Sequence, residues 1–356
     1  MAPTLSCNFA CPYCYEDPKQ GVMDQSTMDA VINLVNDAAK KGNDIHITWY
    51  GGEPLTAKKV IYSLSERIIS ICEKYSVSYN SYIVTNGYLI NDEVIEHFKK
   101  YKIDGAQITM DGPPEIHNSR RRLKGSDKDT FFVILNNIKK LLENDINVSI
   151  RINVDKTNVA NVEELLDILV AHNLQGLSIN LGQVTAYTEA CMSIAESCLN
   201  TEEYAKENVV QQAILFAKGF NVGNYPYYPG VKANYCCADA VDSYVLDPNG
   251  FMYKCWNDVG NKERAVGNVN TIHEPTNEKM FMRNADYLLW SPFNFDKCTN
   301  CDVLPICMGG CPYNGEMLGN EPDCEKWRYN LDDVLKLTYL QRRNDLHSVS
   351  EYVVAK

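Results

Sequence analysis

Apolar residues recur along the first half of the chain with two alternating periods. Met28, Val31, Ile32 and Val35 fall at helical spacing behind Ser26-Thr27-Met28-Asp29, which predicts a capped helix. Ile45–Tyr50 then alternates as a strand, a helix follows over about 56–74, and a strand at 81–85 ends in Thr85-Asn86-Gly87. A helix at 91–101 leads to a strand at 105–110, and a helix at 128–143 leads to Val148–Val154. Val162, Leu165, Leu166 and Leu169 mark a further helix, and Leu177–Leu181 a sixth strand, counting the strand-like start of the chain. Repeated βα units predict a parallel sheet with helices outside.

The alternation inside these strands refines that expectation. Ile45, Ile47 and Trp49 alternate with His46, Thr48 and Tyr50, and Val148, Ile150, Ile152 and Val154 with Ser149, Arg151 and Asn153. Leu177, Ile179 and Leu181 do so with Ser178 and Asn180. Strands buried on both faces read as unbroken apolar runs, and a closed eight-stranded barrel fills its interior with branched aliphatics. One apolar and one polar face suit an open six-stranded (β/α)6 barrel whose lumen holds a polar ligand. This α/β unit is expected over residues 1–199. A helix at 200–219 and the irregular Tyr225–Gly230 form a bridge over 200–235, a cysteine-rich part spans 236–330, and a last helix 331–356.

Composition narrows the function. The chain has 356 residues, 45% of them hydrophobic and 22% charged, with a net charge of −12. A protein of this kind folds, and it offers no extended surface for nucleic acid or an anionic membrane; Arg120-Arg121-Arg122 is its longest basic run. No apolar run reaches the roughly 20 residues of a spanning helix, and the opening Met-Ala-Pro-Thr-Leu-Ser is no signal peptide. Most of the 14 cysteines fall in close, metal-type groups, which points to a reduced, cytoplasmic protein.

Cys7, Cys11 and Cys14 are the first such group. Three thiolates on one loop are too few for a closed structural zinc site, but they fill three corners of a [4Fe–4S] cube and leave one iron open. This Cys-x3-Cys-x2-Cys pattern resembles the signature of the radical S-adenosylmethionine (radical SAM) enzymes. In that family the open iron holds SAM, whose cleavage gives a 5′-deoxyadenosyl radical. Gly51-Gly52-Glu53-Pro54, after the second expected strand, resembles the family segment that holds the SAM amino group. Arg151 matches the position that pairs with the SAM carboxylate, and Thr109 stands where the family usually has Ser. The resemblance also makes Tyr13, Asn86 and Leu181 SAM contacts.

In the second half, Cys237, Gly250-x4-Cys255, Cys298-x2-Cys301-x5-Cys307-x3-Cys311 and Cys324 resemble the seven-cysteine pattern of the SPASM domain. That domain binds two auxiliary [4Fe–4S] clusters, so the resemblance implies three clusters in all. By position, Cys298, Cys301, Cys307 and Cys324 close the outer one, and Cys237, Cys255 and Cys311 hold the inner one. Cys236 is a competing inner ligand, although neighbouring side chains point apart in an extended segment. Zinc is the alternative for the Cys298–Cys311 group. Cys72 reads as a core residue; Cys191 and Cys198 lie outside the pattern. No histidine is assigned to chemistry and no catalytic residue is named.

The resemblance implies an enzyme that oxidatively modifies a ribosomally made peptide, forming a thioether or related crosslink. It implies a cysteine-containing peptide substrate and an external flavodoxin- or ferredoxin-type electron donor. The nearest rival is the anaerobic sulfatase maturase, which makes formylglycine and in which an Asp follows the Gly-x4-Cys cysteine; here Trp256 follows Cys255, with Asp258 two positions on. An iron–sulfur electron carrier is the rival of another class. Cys7 leaves no room for a leader-binding domain ahead of the barrel, so a separate leader-recognition protein is one expectation.

Overall fold

The computed structural model describes residues 1–16, 21–186, 188–220, 230–274, 277–317, 319–344 and 349. Five parallel strands stand in chain order: β1 (Ile45–Trp49), β2 (Tyr79–Thr85), β3 (Ile103–Thr109), β4 (Asn147–Val154) and β5 (Ser178–Gln183). Helices α1 (Gln25–Lys40), α2 (Lys58–Tyr75), α3 (Asp92–Lys100), α4 (Pro114–Arg120), α5 (Phe131–Glu143), α6 (Val162–Ala171) and α7 (Thr201–Ala217) precede, connect or follow them. The expected first strand is not one. Its place beside β1 is taken by an irregular segment, tied there by the Tyr50 N–H donating to the Met1 carbonyl at 3.0 Å. Asp24, not Ser26, caps α1, its Oδ1 accepting from the Thr27 N–H at 2.8 Å. The short α4 escapes the periodicity because seven residues hold too few turns to show it.

The two-faced alternation of the strands is realised. Ile83, Ala106, Ile108, Ile150 and Ile152 are wholly buried. Register puts Thr48, Tyr82, Gly105, Gln107, Ser149, Thr109, Arg151 and Asn180 on the opposite, polar face. There the Tyr82 and Ser149 hydroxyls share a hydrogen bond of 2.7 Å. Gly105 allows it, since a Cβ there would lie 2.4 Å from the Tyr82 ring. The helices cover the apolar face, with Met28, Val31, Ile61, Leu64, Phe98, Ile134, Ile138, Leu165 and Leu169 in one continuous core.

The cysteine-rich part is thinner. β6 (Val245–Leu246), β7 (Phe251–Tyr253) and β8 (Gly267–Asn268) form a small antiparallel sheet, followed by α8 (Glu278–Leu288) and helices of four to six residues. It is joined to the first part by the Ala2 N–H, which donates to the Leu246 carbonyl at 2.8 Å. The Trp256 ring meets Tyr50 edge-on with centroids 4.1 Å apart. The last helix, Trp327–Arg343, begins before residue 331 and packs Val334 and Leu337 against Val209 and Ala213 of α7. Tyr225–Pro229, and residues 345–348 and 350–356 of the expected last helix, lie outside the described residues. Among the described residues no helix is long and apolar enough to cross a membrane.

Candidate functional site: three groups of thiols and the polar end of the sheet

The loop carrying Cys7, Cys11 and Cys14 lies against the C-terminal ends of β1 and β2. Glycine sets the distance. A Cβ on Gly51 would come within 2.3 Å of the Thr4 carbonyl oxygen, and one on Gly52 within 2.4 Å of that of Ser6. Gly51 also holds a φ of +125°, which a side chain resists. The Glu53 N–H then donates to the Ser6 carbonyl at 2.9 Å. On its other side the loop pairs with the chain after α4. The Ala10 N–H donates to the Arg122 carbonyl and the Lys124 N–H to the Asn8 carbonyl, both at 2.8 Å, around an antiparallel bridge of Phe9 and Leu123.

The three thiols sit half-buried on this clamped loop. Burial pushes Cys7 up to about 11 and Cys14 up to about 12, and neighbouring thiols add to both. Cys11 moves in the same direction, from burial first, against the pull of Arg121. Such thiols stay protonated at neutral pH unless a metal takes the proton's place. Among the described residues no three His, Cys, Asp or Glu side chains converge closely enough to hold a single ion. A donor set of three soft thiolates along one loop fits the corners of an iron–sulfur cube.

Glu53 differs from the open carboxylate expected for a ligand ammonium. It is completely buried; its Oε1 accepts from the Leu55 N–H at 3.0 Å and Thr85 Oγ1 at 2.7 Å, and its Oε2 from the Asn86 N–H at 2.7 Å. It caps the short 3-10 turn Pro54–Ala57 and ties the end of β1 to that of β2. Burial raises its pKa, and the three donated bonds oppose that rise. Asn86 turns its Nδ2 to Asn8 Oδ1 at 2.7 Å, linking the end of β2 to the cysteine loop.

Tyr13 reaches the end of β3, where its hydroxyl donates to Asp111 Oδ2 and accepts from Arg121 Nη1 at 2.7 Å. Asp111 Oδ1 accepts from the Asn153 N–H at 3.0 Å, and Arg120 pairs with Asp155 at 2.8 Å and with Asp111 at 3.7 Å. On the polar face Arg151 stands beside Thr109 and Asn180, its Nε donating to Asn153 Oδ1 at 2.7 Å. Gly182 makes room for it: a Cβ there would lie 2.3 Å from Nη2. Leu181 is in register with Ile152, so its side chain belongs to the apolar face and not to the face of Arg151. Its carbonyl accepts from the Tyr204 hydroxyl at 2.8 Å.

The outer cysteines converge. Cys298, Cys301, Cys307 and Cys324 line one small cavity of about 20 Å³, with Arg328 at its edge 3.9 Å from the Cys324 sulfur. Cys255 and Cys311 pack with Cys236 around Tyr287 and Tyr313. Coupling between the neighbouring thiols holds Cys237 below and Cys236 above the usual thiol range. An irregular turn at Cys237–Asp239 replaces the extended chain, and Cys236 caps it, its sulfur 3.3 Å from the Ala238 N–H. Cys72 lies in the aliphatic core; Cys191 is buried, its sulfur 3.3 Å from the Thr188 carbonyl oxygen.

Sequence reasoning passed over the chain after α4, whose Arg-Arg-Arg run reads only as charge. Spacing carries no trace of the bridge from Phe9 to Leu123, which joins residues more than 100 positions apart. Glu16 was passed over too: it is buried, its Oε2 has no hydrogen-bond partner among the described residues, and burial pushes it up to about 7.

The likeness to known proteins agrees with this geometry. A profile of the radical SAM superfamily matches residues 1–169. The cysteine-type anaerobic sulfatase-maturating enzyme of Clostridium novyi (strain NT) is 25% identical over 376 aligned positions, covering 95% of each chain. The structure of anSMEcpe with bound AdoMet matches with a TM-score of 0.70 at 18% identity, over 98% of this chain and 97% of that one. SuiB of Streptococcus suis, solved with the precursor peptide SuiA, matches with a TM-score of 0.64 at 17% identity, over 91% of this chain and 73% of that one. Identities this low speak for the fold alone. With the three-thiol loop seated on the ends of a parallel sheet, residues 1–169 are a radical SAM domain, the kind that works with a [4Fe–4S] cluster and S-adenosylmethionine.

Proposed function

We propose that the chain oxidises a ribosomally synthesised peptide in the cytoplasm, closing a thioether between a cysteine sulfur and a carbon, or a related crosslink. The observation that carries this reading is at Cys255. The next residue, Trp256, packs its ring on Tyr50, and Asp258 is completely buried between Arg264 and the Tyr287 hydroxyl, the latter at 2.7 Å. A carboxylate engaged in this way is not free to take a proton from a substrate, as the formylglycine reaction requires of the residue after the cysteine. That second reading is favoured instead by the full-length likeness to the Clostridium novyi maturase.

When bound, the cluster and SAM supply the radical that takes a hydrogen atom from substrate carbon. The chain's own part is to bind and orient. Arg151 and Thr109 offer a cation and a hydroxyl on the polar face, and Gly51 and Gly52 bring backbone close to the cysteine loop. Two auxiliary [4Fe–4S] clusters complete the proposal: the outer on Cys298, Cys301, Cys307 and Cys324, the inner on Cys237, Cys255 and Cys311. The packing of Cys236 with Cys255 and Cys311 around Tyr287 and Tyr313 supports Cys236 as a fourth inner ligand, over an open iron corner. A flavodoxin- or ferredoxin-type donor supplies electrons.

The test is anaerobic turnover of the iron-reconstituted chain with SAM, reductant and cysteine-containing precursor peptides, read by mass spectrometry. Crosslinking removes two hydrogens from the peptide and protects one thiol from alkylation, with release of 5′-deoxyadenosine. An aldehyde captured by a hydrazide reagent establishes the formylglycine reading in its place. Absence of 5′-deoxyadenosine with every peptide supports the electron-carrier reading and rejects both.

A further inference from the structure

Two buried arginines follow one another at the end of α4, and their surroundings differ. Arg120 is compensated by Asp155 and Asp111. Arg121, only 7% exposed, forms no ion pair with a carboxylate among the described residues, and its Nε has no hydrogen-bond partner among them. Its backbone is fixed: the N–H donates to the His117 carbonyl at 2.8 Å, and its own carbonyl accepts from Thr130 Oγ1 at 3.0 Å. From that anchor the guanidinium extends to the cysteine loop. Nη1 donates to the Tyr13 hydroxyl at 2.7 Å, and Cζ stands 5.6 Å from the centre of the Phe9 ring. Phe9 and Tyr13 lie two residues to either side of Cys11, so the cation brackets the middle thiol.

A buried charge without a direct counter-charge is costly; Asp111 reaches this one only through the Tyr13 hydroxyl, and the ligated thiolates of the loop it extends to are further groups able to supply negative charge. We propose that Arg121 is a positioning residue for the Cys7–Cys11–Cys14 site: its guanidinium compensates the negative charge of the thiolate-bound cluster and raises that cluster's reduction potential. The physics is direct. Reduction adds one negative charge, and a fixed cation in a poorly screened interior stabilises the reduced form more than the oxidised one. Without it the cluster accepts an electron less readily from its donor. This role rests on the loop holding the cluster of the radical SAM domain, and it is separate from the identity of the peptide.

The full chain is reconstituted as wild type, Arg121→Gln and Arg121→Lys. Iron is counted, and the midpoint potential of the SAM-responsive EPR signal is measured by redox titration with and without SAM. Arg121→Gln is expected to keep wild-type iron and to lower that potential in both conditions; Arg121→Lys, which keeps the charge, is expected to stay near wild type. Loss of iron in Arg121→Gln with retention in Arg121→Lys equally supports a charge that holds the cluster. An unchanged potential in iron-replete Arg121→Gln overturns the proposal. So does a lysine variant as damaged as the glutamine one, which makes the side chain a steric pin, and so does a shift confined to the SAM-bound state, which assigns the cation to SAM. A wild-type chain with no SAM-responsive signal means that the cluster reading itself has failed.

Discussion

The barrel and the cysteine-rich part are built on different physical principles. Between α1 and β5 the apolar face of five strands is covered by helices, and dozens of aliphatic side chains form one core. The cysteine-rich part offers small groups instead. Val245, Tyr253 and Ala265 pack with Ala2 and Tyr50, and Tyr287 and Tyr313 pack with Ala238 around thiols. Its strands are two or three residues long and several of its helices four to six. Elements that short do not hold themselves up. The first region folds by burying carbon; the second is organised around groups of sulfur atoms.

Iron withdrawal tests this difference most strongly. In iron-free chain, limited proteolysis is expected to cut first between residues 236 and 326, leaving a resistant fragment that holds β1 to β5. Reconstitution with about twelve iron per chain, four for each of the three proposed cubes, should protect both regions. Equal resistance of the two regions without iron would break the contrast. A smaller effect is confined to the barrel. Glu53→Gln replaces a buried carboxylate that accepts from three donors, and each charge-assisted bond of this kind contributes roughly 1.5–3 kcal/mol. A loss of about 4 kcal/mol in denaturant unfolding of the iron-free barrel is expected, and a loss below 1 kcal/mol would show that the strand ends are held by something else.

The smallest effect is one of pH. Glu16 is pushed up to about 7 by burial, against an ordinary 4.5. The folded carboxyl therefore keeps its proton over a range where the unfolded one has released it. Stability from this group is full below about pH 4 and falls as pH rises to 7, by about 3 kcal/mol in all. Glu16→Gln should abolish that decline in iron-free chain, so that the variant exceeds wild type at pH 8 and matches it at pH 4. Parallel pH profiles would mean that Glu16 is solvated in solution.

Much of this was legible before any coordinates. The strand sites, the two-faced sheet and the polar position of Arg151 follow from period-two alternation, because a strand's side chains alternate by geometry. The four outer cysteines were grouped by the resemblance to the SPASM pattern, since spacing alone sets Cys311 and not Cys324 beside Cys307. What escaped is long-range or conformational. Glu53 looked available because nothing in a tetrapeptide tells which backbone amides will surround it. Cys236, a competing inner ligand by its sequence, caps a turn that begins at Cys237, and spacing carries no trace of that turn. Leu181 was offered to a ligand although its own alternation with Asn180 put it on the apolar face. Arg121 owes its place to a contact across the whole first half of the barrel, and a basic triplet does not announce which of its members will be left without a carboxylate.

The glycine pair at the end of β1 bears on how freely such an enzyme can be altered. Side chains on the polar face, such as Gln107, Ser149 and Asn180, are separate positions on separate strands. Gly51 and Gly52 have no latitude, because even a methyl group would push against the carbonyls that lead into Cys7. Substitution is therefore closed at this rim, and a library built on this scaffold leaves Gly51 and Gly52 untouched.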